Sequence, residues 1–565
     1  MTILILPLPV HTTLSKGIIR HLIITRQKNL EEILKMTKGL QKILITSCNG
    51  CAAVLQVGGP KQADDLRTKL KTHRDSDGIN GFEIEITAVP RQCLRQAAEN
   101  AINQTIDKYD AVISLACGVG VQALAELYPN KLVMPANDTM FLGMGNAREG
   151  RYHEMCRACG DCMIFETGGI CPTTRCAKSL LNGPCGGQVG GKCEAGGWKK
   201  ACAWVLVYRR LKERNRLDLF TKFRISRDYR ISEPPRELDY NALAAKKTEK
   251  TIELGEIDDA VKKRVAHSNL MKQMMEGKFV FTGELEPLKT TSLREVIEGA
   301  KILKDHVVAI NITDNPTAFG FMNALVPSYL IQREADVETV YQMTTRDRNR
   351  LALLSDVLAA SQLGIRNILA LTGDYTTVGD TPQAKPVFDL DSATFVYMLR
   401  KIMDESVDLN GNKIENPPRF NIGVAASPNA DPFEPEILKI ERKVKLGIDF
   451  IQTQCVYSVE QATRFLDAAI YLKTPVILGL APFKSLAMMD WMIRFVPGIK
   501  VPQELEHQLR KAREKSKEAF LEENIEIFAE MIHQIRKTTH AAGVHLMAVG
   551  FEWIIPEIIK RSEIG

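Results

Sequence analysis

TVYQMTTRDRNRLALLSDVLAASQLGIRNILALTGD, residues 339–374, contains one complete strand–helix–strand unit. An apolar, β-rich run at Thr339–Thr344 is followed by an amphipathic helical stretch at Asn349–Leu363 and a second apolar run at Asn367–Leu371. Both runs end in polar residues, Thr344-Thr345-Arg346-Asp347 and Thr372-Gly373-Asp374. The same alternation extends in both directions. Further strands are predicted at Phe279–Leu285, Val307–Ile312, Asn421–Ala425, Phe450–Gln454, Pro475–Leu480 and Val544–Ala548. Helices are predicted at Leu293–Leu303, Pro435–Leu446 and Val459–Tyr471. Eight β/α units within about 300 residues have the size and rhythm of a TIM barrel, assigned to residues 266–565. In that fold the loops after the strands carry the site. Polar residues stand there at Glu284, Glu286, Thr313-Asp314-Asn315 and Thr453-Gln454, although each alone also suits a cap or a turn.

The first part of the chain alternates too. Strands at Lys42–Thr46, Phe82–Ile86, Ala111–Leu115 and Lys131–Pro135, with a helix near Lys61–His73, predict a doubly wound parallel sheet over residues 25–150. Residues 1–24 read as an irregular leader. Residues 218–265 are charged, contain Pro234-Pro235 and read as a linker. The fold class is α/β throughout.

Of 13 cysteines, only Cys455 lies beyond residue 202, so the early cysteines are read as a set and Cys455 as a packed core thiol. Cys48 and Cys51 follow one predicted strand, Cys93 the next and Cys117 the third. Loops after parallel strands gather at the carboxyl edge of a sheet, where four thiolates can hold one [4Fe–4S] cluster. Eight more fall within 151–217, a cysteine-rich, cluster-binding segment. Cys156, Cys159 and Cys162 are spaced C-x2-C-x2-C, followed by Cys171-Pro172, Cys176, Cys185, Cys193 and Cys202. Cys156, Cys159 and Cys162 with Cys176 or Cys171 are expected to hold a second cubane. Cys185 and Cys193 remain for a third or for zinc, which four thiolates also suit.

Composition excludes several classes. A 45% hydrophobic, 25% charged chain of 565 residues has the balance of soluble multidomain proteins, and a net charge of +6 gives no nucleic-acid signal. No stretch approaches transmembrane length, and no signal peptide is convincing. A cytoplasmic protein with metal-binding rather than disulfide-bonded cysteines is expected.

The barrel resembles methylenetetrahydrofolate reductase, through TGELEP, NITDNP, MTTRDRN, LTGD and TQCVY in that family's order. The first part resembles the cysteine-rich iron–sulfur accessory subunit that partners this reductase in anaerobic acetyl-CoA-pathway organisms, through TGGICP and LLNGPCGG. The resemblance implies a flavin-dependent reduction of 5,10-methylenetetrahydrofolate to 5-methyltetrahydrofolate. Glu284 matches the general acid, a carboxyl group whose proton desolvation helps retain. Asp374 matches the acidic residue beside flavin and pterin, and Gln454 the amide that binds folate. Thr313, Gln342, Thr344, Asp374, Glu436 and Lys443 match flavin-contact positions. Thr372, Gln342 and Glu436 replace a basic residue, a histidine and an aspartate of the family, so FMN is expected ahead of FAD. One to three [4Fe–4S] clusters would pass electrons from reduced ferredoxin or another electron-transfer protein, in a homo-oligomer or larger redox complex. The alternative is direct NAD(P)H reduction, with structural zinc or a partner-recruiting module upstream.

Overall fold

The computed structural model describes residues 19–76, 81–146, 150–233, 235–236, 250–496 and 498–563. They form two compact units, Met1–Cys159 and Gly160–Gly565. Most of the expected leader, residues 1–18, lies outside the described residues.

The smaller unit contains strands β1 (Ile19–Gln27), β2 (Lys42–Cys48), β3 (Glu83–Val89), β4 (Ala111–Ser114), β5 (Leu132–Pro135), β6 (Asn137–Asn146) and β7 (Arg151–Cys156). A parallel sheet has the order β3-β2-β4-β5, as the alternation of strands and helices predicts. Successive side chains of a strand point to opposite faces. Accordingly Ile43 and Ile45 pack with Leu66 and Leu70 of the helix Pro60–Ser76, while Leu44 packs with Ala98, Ile102 and Leu124 on the other face. A second, antiparallel sheet, β1-β6-β7, was not anticipated, and its first strand begins inside the stretch read as a leader.

The larger unit opens with two short hairpins, β8 (Gln188–Val189) with β9 (Lys192–Cys193) and β10 (Phe223–Arg224) with β11 (Thr251–Ile252). Eight parallel strands then close into a barrel. They are β12 (Val280–Leu285), β13 (Ala309–Ile312), β14 (Glu338–Thr344), β15 (Asn367–Leu371), β16 (Asn421–Ala426), β17 (Phe450–Cys455), β18 (Val476–Leu480) and β19 (Gly543–Leu546). Each lies within three residues of its expected position, and β19 pairs with β12 to close the ring. Alternate residues face inward. At the amino end these are Val280, Ala309, Val340, Leu369, Phe450 and Ile477, plugged by Leu270, Met271 and Met274 of the helix Asn269–Met275. A Cβ on residue 423 would come 2.3 Å from the Phe450 ring, so Gly423 makes room for the largest member of this layer.

The cysteine-rich residues from Gly160 onward belong to the same compact unit as the barrel, and the division falls at Cys159/Gly160. Buried polar contacts explain this. The Asp391 carboxylate accepts the backbone N–H groups of Leu181 (3.2 Å) and Asn182 (3.0 Å). The Asn182 amide bonds both Asp391 (3.1 Å) and the backbone of Arg224, donating to its carbonyl (2.9 Å) and accepting from its N–H (2.8 Å). Arg442, from the barrel helix Glu434–Lys445, donates to the carbonyls of Asn182 (2.6 Å), Phe220 and Thr221 (3.3 Å). Phe223, in the stretch read as a linker, is fully buried in the barrel's outer core. Residues 237–249 of that stretch lie outside the described residues.

Asn182→Ala should therefore strip buried backbone and carboxylate groups of their partners, each costing about 1–3 kcal/mol. A lower urea midpoint for the larger unit is expected; an unchanged midpoint would show that these bonds add nothing to its stability.

Candidate active site at the carboxyl end of the barrel

Along the inward face several strands turn from apolar to polar. Val280 is followed by Thr282 and Glu284, Val340 by Gln342 and Thr344, and Phe450 by Gln452 and Gln454. The polar ends open on a cavity of about 880 Å³, within the range of roughly 300–1,000 Å³ usual for small-molecule and cofactor sites. Glu284, Thr313, Gln342, Thr344, Asp374, Lys443 and Gln454 all line it. Glu436 does not: its carboxylate is held by Lys439 Nζ, 2.7 Å from each oxygen, and by the Ser427 N–H (2.8 Å).

Glu284 Oε2 accepts from Gln342 Nε2 (3.1 Å) and faces His545 Nε2 (3.3 Å). Asn311 Oδ1 accepts from Gln342 Nε2 (3.4 Å), which turns the Asn311 amide nitrogen toward His545 Nδ1 (3.5 Å). Thr282 Oγ1 is 2.9 Å from the same Nδ1. With donors at Nδ1, the network assigns the ring proton to Nε2, pointing at Glu284. At this strand end burial, with the charge of Glu284 second, raises the Glu286 carboxyl to about 7.

Several polar loop residues brace the site. Asp314 accepts from Thr344 N (2.8 Å) and from Arg348 at 2.6 and 3.1 Å. Arg346 clamps Asp347 and donates to the carbonyls of Asn315 (3.1 Å) and Asp374 (3.4 Å). The Thr372 hydroxyl donates to Ser392 Oγ (3.2 Å). Lys443 is lowered to about 7, chiefly by burial and then by neighbouring Lys439. Thr313 Oγ1, Gln452 Oε1 and Trp198 Nε1 line the cavity as buried polar atoms without partners, which suits a polar ligand.

The remaining wall comes from the cysteine-rich segment. Lys178, Cys185, Gly187, Glu194 and Trp198 line the cavity. Gly183, at φ +103°, packs 3.2 Å from Arg442 by its would-be Cβ, which gives the LLNGPCGG motif a packing reason. Burial pulls the Lys178 ammonium toward neutrality, but Cys185, Glu194 and Asp374 around it raise its pKa overall. The thiols of Cys176 and Cys202 are pushed up to about 12 and about 11 by burial and then by Cys185, and Cys193 is raised by the same two causes. Cys185 thus stands among Cys176, Cys193 and Cys202, and Cys202 had not been singled out as a ligand. In the smaller unit, burial and then Cys117 and Cys48 raise Cys93. The order β3-β2-β4 sets the loops bearing these cysteines side by side. Among the described residues, no group of three or more His, Cys, Asp or Glu is gathered as for a single metal ion. Cys455 is buried in the barrel core and its thiol is raised to about 12 by burial.

The unanticipated site residues are His545, Asn311, Lys178, Glu194 and Trp198. His545 and Asn311 had a signal, a polar residue at an inward position of an apolar strand. Lys178 and Glu194 had none, because they meet the barrel only through the tertiary fold.

The family model for methylenetetrahydrofolate reductase matches residues 269–563, and that for the methylene-tetrahydrofolate reductase C terminal matches residues 134–230. Methylenetetrahydrofolate reductase 1 of Schizosaccharomyces pombe is 26% identical over 257 residues, covering 43% of this chain and 39% of the yeast protein. The 5,10-methylenetetrahydrofolate reductase of Pectobacterium carotovorum is 24% identical over 247 residues, covering 40% of this chain and 75% of that protein. The chain thus spans about two fifths of the yeast relative's length and three quarters of the bacterial one's. An uncharacterised Clostridium thermocellum protein, described as binding two copies of 5-methyl-5,6,7,8-tetrahydrofolic acid, superposes with a TM-score of 0.38 at 17% identity, covering 53% of this chain and all of that one. With the reductase model matching just over half of its length, this chain belongs to the methylenetetrahydrofolate reductase family.

Proposed function

We propose that the chain reduces 5,10-methylenetetrahydrofolate to 5-methyltetrahydrofolate with electrons delivered one at a time through iron–sulfur centres. The observation that carries the reaction is the convergence of Glu284, Gln342, Asp374, Gln454 and Lys443 on one cavity. Glu284, held by Gln342 and His545, donates a proton to N10 of the folate as the N10–methylene bond breaks. The Asp374 carboxylate stabilises the positive charge that develops on the pterin, and Gln454 orients it by hydrogen bonding. A bound flavin, when reduced, supplies the hydride that completes the methyl group. Thr313, with its unpartnered buried hydroxyl, Thr344 and Lys443 would hold that flavin. Glu436 is engaged by Lys439 and Thr372 carries no charge, which favours FMN over FAD.

Ferredoxin is the proposed donor. Cys48, Cys51, Cys93 and Cys117 are the proposed ligands of one cluster, and Cys176, Cys185, Cys193 and Cys202 of another beside the cavity. Cys176 groups here with the later cysteines rather than with the C-x2-C-x2-C run.

Glu284→Gln keeps the shape of the side chain but cannot release the proton. Folate turnover should fall by about 10²–10⁴-fold while reduction of the flavin by an artificial donor stays normal. Turnover within a few-fold of wild type would remove Glu284 as the acid.

Lys443 offers a pH test. With its pKa near 7 in the free protein, the cation that an anionic flavin phosphate needs is fully present only below that pH. Flavin affinity should therefore fall as pH rises above about 7, and Lys443→Met should flatten the dependence. A pH-independent Kd in the wild type would exclude this contact.

Iron and acid-labile sulfide in anaerobically purified protein test the electron path. Cys185→Ser and Cys117→Ser should each lose one cluster's iron, and the pair both. Zinc without sulfide, together with NAD(P)H-driven turnover, would replace the ferredoxin reading.

A further inference from the structure

Lys178 and Glu194 lie among the cysteines yet reach the barrel. Lys178 Nζ is 2.5 Å from Glu194 Oε1 and donates to the carbonyl of Gly373 at 2.7 Å. The same Glu194 oxygen accepts the N–H of Tyr375 at 3.0 Å. Both side chains are almost wholly buried, at 5% and 2% exposure. Gly187 closes over the carboxylate, since a Cβ there would come 1.7 Å from Glu194 Oε2. The two bonds thus grip the backbone on either side of Asp374, at Gly373 and at Tyr375, while Arg346 holds the Asp374 carbonyl (3.4 Å).

We infer that Lys178 and Glu194 form a positioning clasp, through which the cysteine-rich segment sets the Asp374 carboxylate for folate binding. This rests on the folate reading of Asp374 given above. A loop gripped on both sides of one residue keeps that side chain's direction, and a buried ion pair that also bonds two backbone groups keeps it against thermal motion. Without the clasp the carboxylate would have to be ordered by the folate itself, and affinity would fall.

Lys178→Met alone leaves Glu194 buried and unpaired, which can prevent folding; replacing both charges by apolar groups of similar size avoids that penalty. The decisive variant is therefore Lys178→Met/Glu194→Leu in the full chain, compared with wild type and Asp374→Asn. The readouts are Kd for 5-methyltetrahydrofolate, KM and kcat, and flavin content. The double variant should retain flavin yet bind 5-methyltetrahydrofolate about 10- to 100-fold more weakly, with the loss mainly in KM. Asp374→Asn should weaken it at least as much. Weak binding after Asp374→Asn together with wild-type binding in the double variant would overturn the clasp alone. Wild-type binding after Asp374→Asn would overturn the folate reading of the loop, and the clasp with it.

Discussion

Asp391 has two obligations at once, and the form of the larger unit follows from how it meets them. One carboxylate oxygen caps the helix Ser392–Arg400 through the Thr394 N–H at 2.8 Å. The other receives the backbone of Leu181 and Asn182. A buried carboxylate is tolerated only when its lone pairs are filled, so cap and clamp stabilise each other. Arg442 works from the next helix in the complementary sense. It is fully buried, lowered to about 10 by desolvation, and spends its donors on three carbonyls of the incoming segment. Together they make a stretch rich in glycine and cysteine, with little regular structure of its own, into a wall of the barrel mouth.

That wall changes the chemistry open to the barrel. The strands contribute an inward face that is apolar at the amino end and polar at the carboxyl end. The segment adds an ammonium, a carboxylate, an indole and a thiol to the same cavity. Several charged groups in and beside this cavity have a partner within reach: Lys178 has Glu194, Glu436 has Lys439, and Asp314 has Arg348. Asp314 and Glu436, both candidates for direct roles, serve as braces. Among the described residues no ion pair involves Lys443, and burial, with neighbouring Lys439 second, lowers it to about 7.

The cysteines follow a comparable logic of support. In the smaller unit, three neighbouring parallel strands deliver their following loops to one edge of the sheet. In the larger unit the hairpin β8–β9 and the bond from Cys202 N–H to the Gly191 carbonyl (2.8 Å) bring distant parts of the segment together. Regular structure sets the loops of the first group side by side, and loop geometry brings the second group's segments together.

The sequence by itself determined the eight barrel strands, the parallel sheet of the smaller unit and many of the polar residues that line the cavity from the barrel. Each depends on local periodicity: a strand buried on both faces is a short apolar run, and the residue at its carboxyl end faces the mouth whatever the rest of the chain does. Glu284 and Gln454 were legible for that reason, whereas Gln342 came only from the family resemblance. The antiparallel sheet escaped because β1 pairs with β6 across more than a hundred residues. The tertiary structure alone decided that Glu436 turns to Lys439, that His545 backs Glu284, and that Lys178 and Glu194 reach the loop of Asp374. These are contacts between residues 3 to 261 positions apart, set by which side chains can fill one another's buried hydrogen-bonding needs. No pattern of neighbouring residues encodes that.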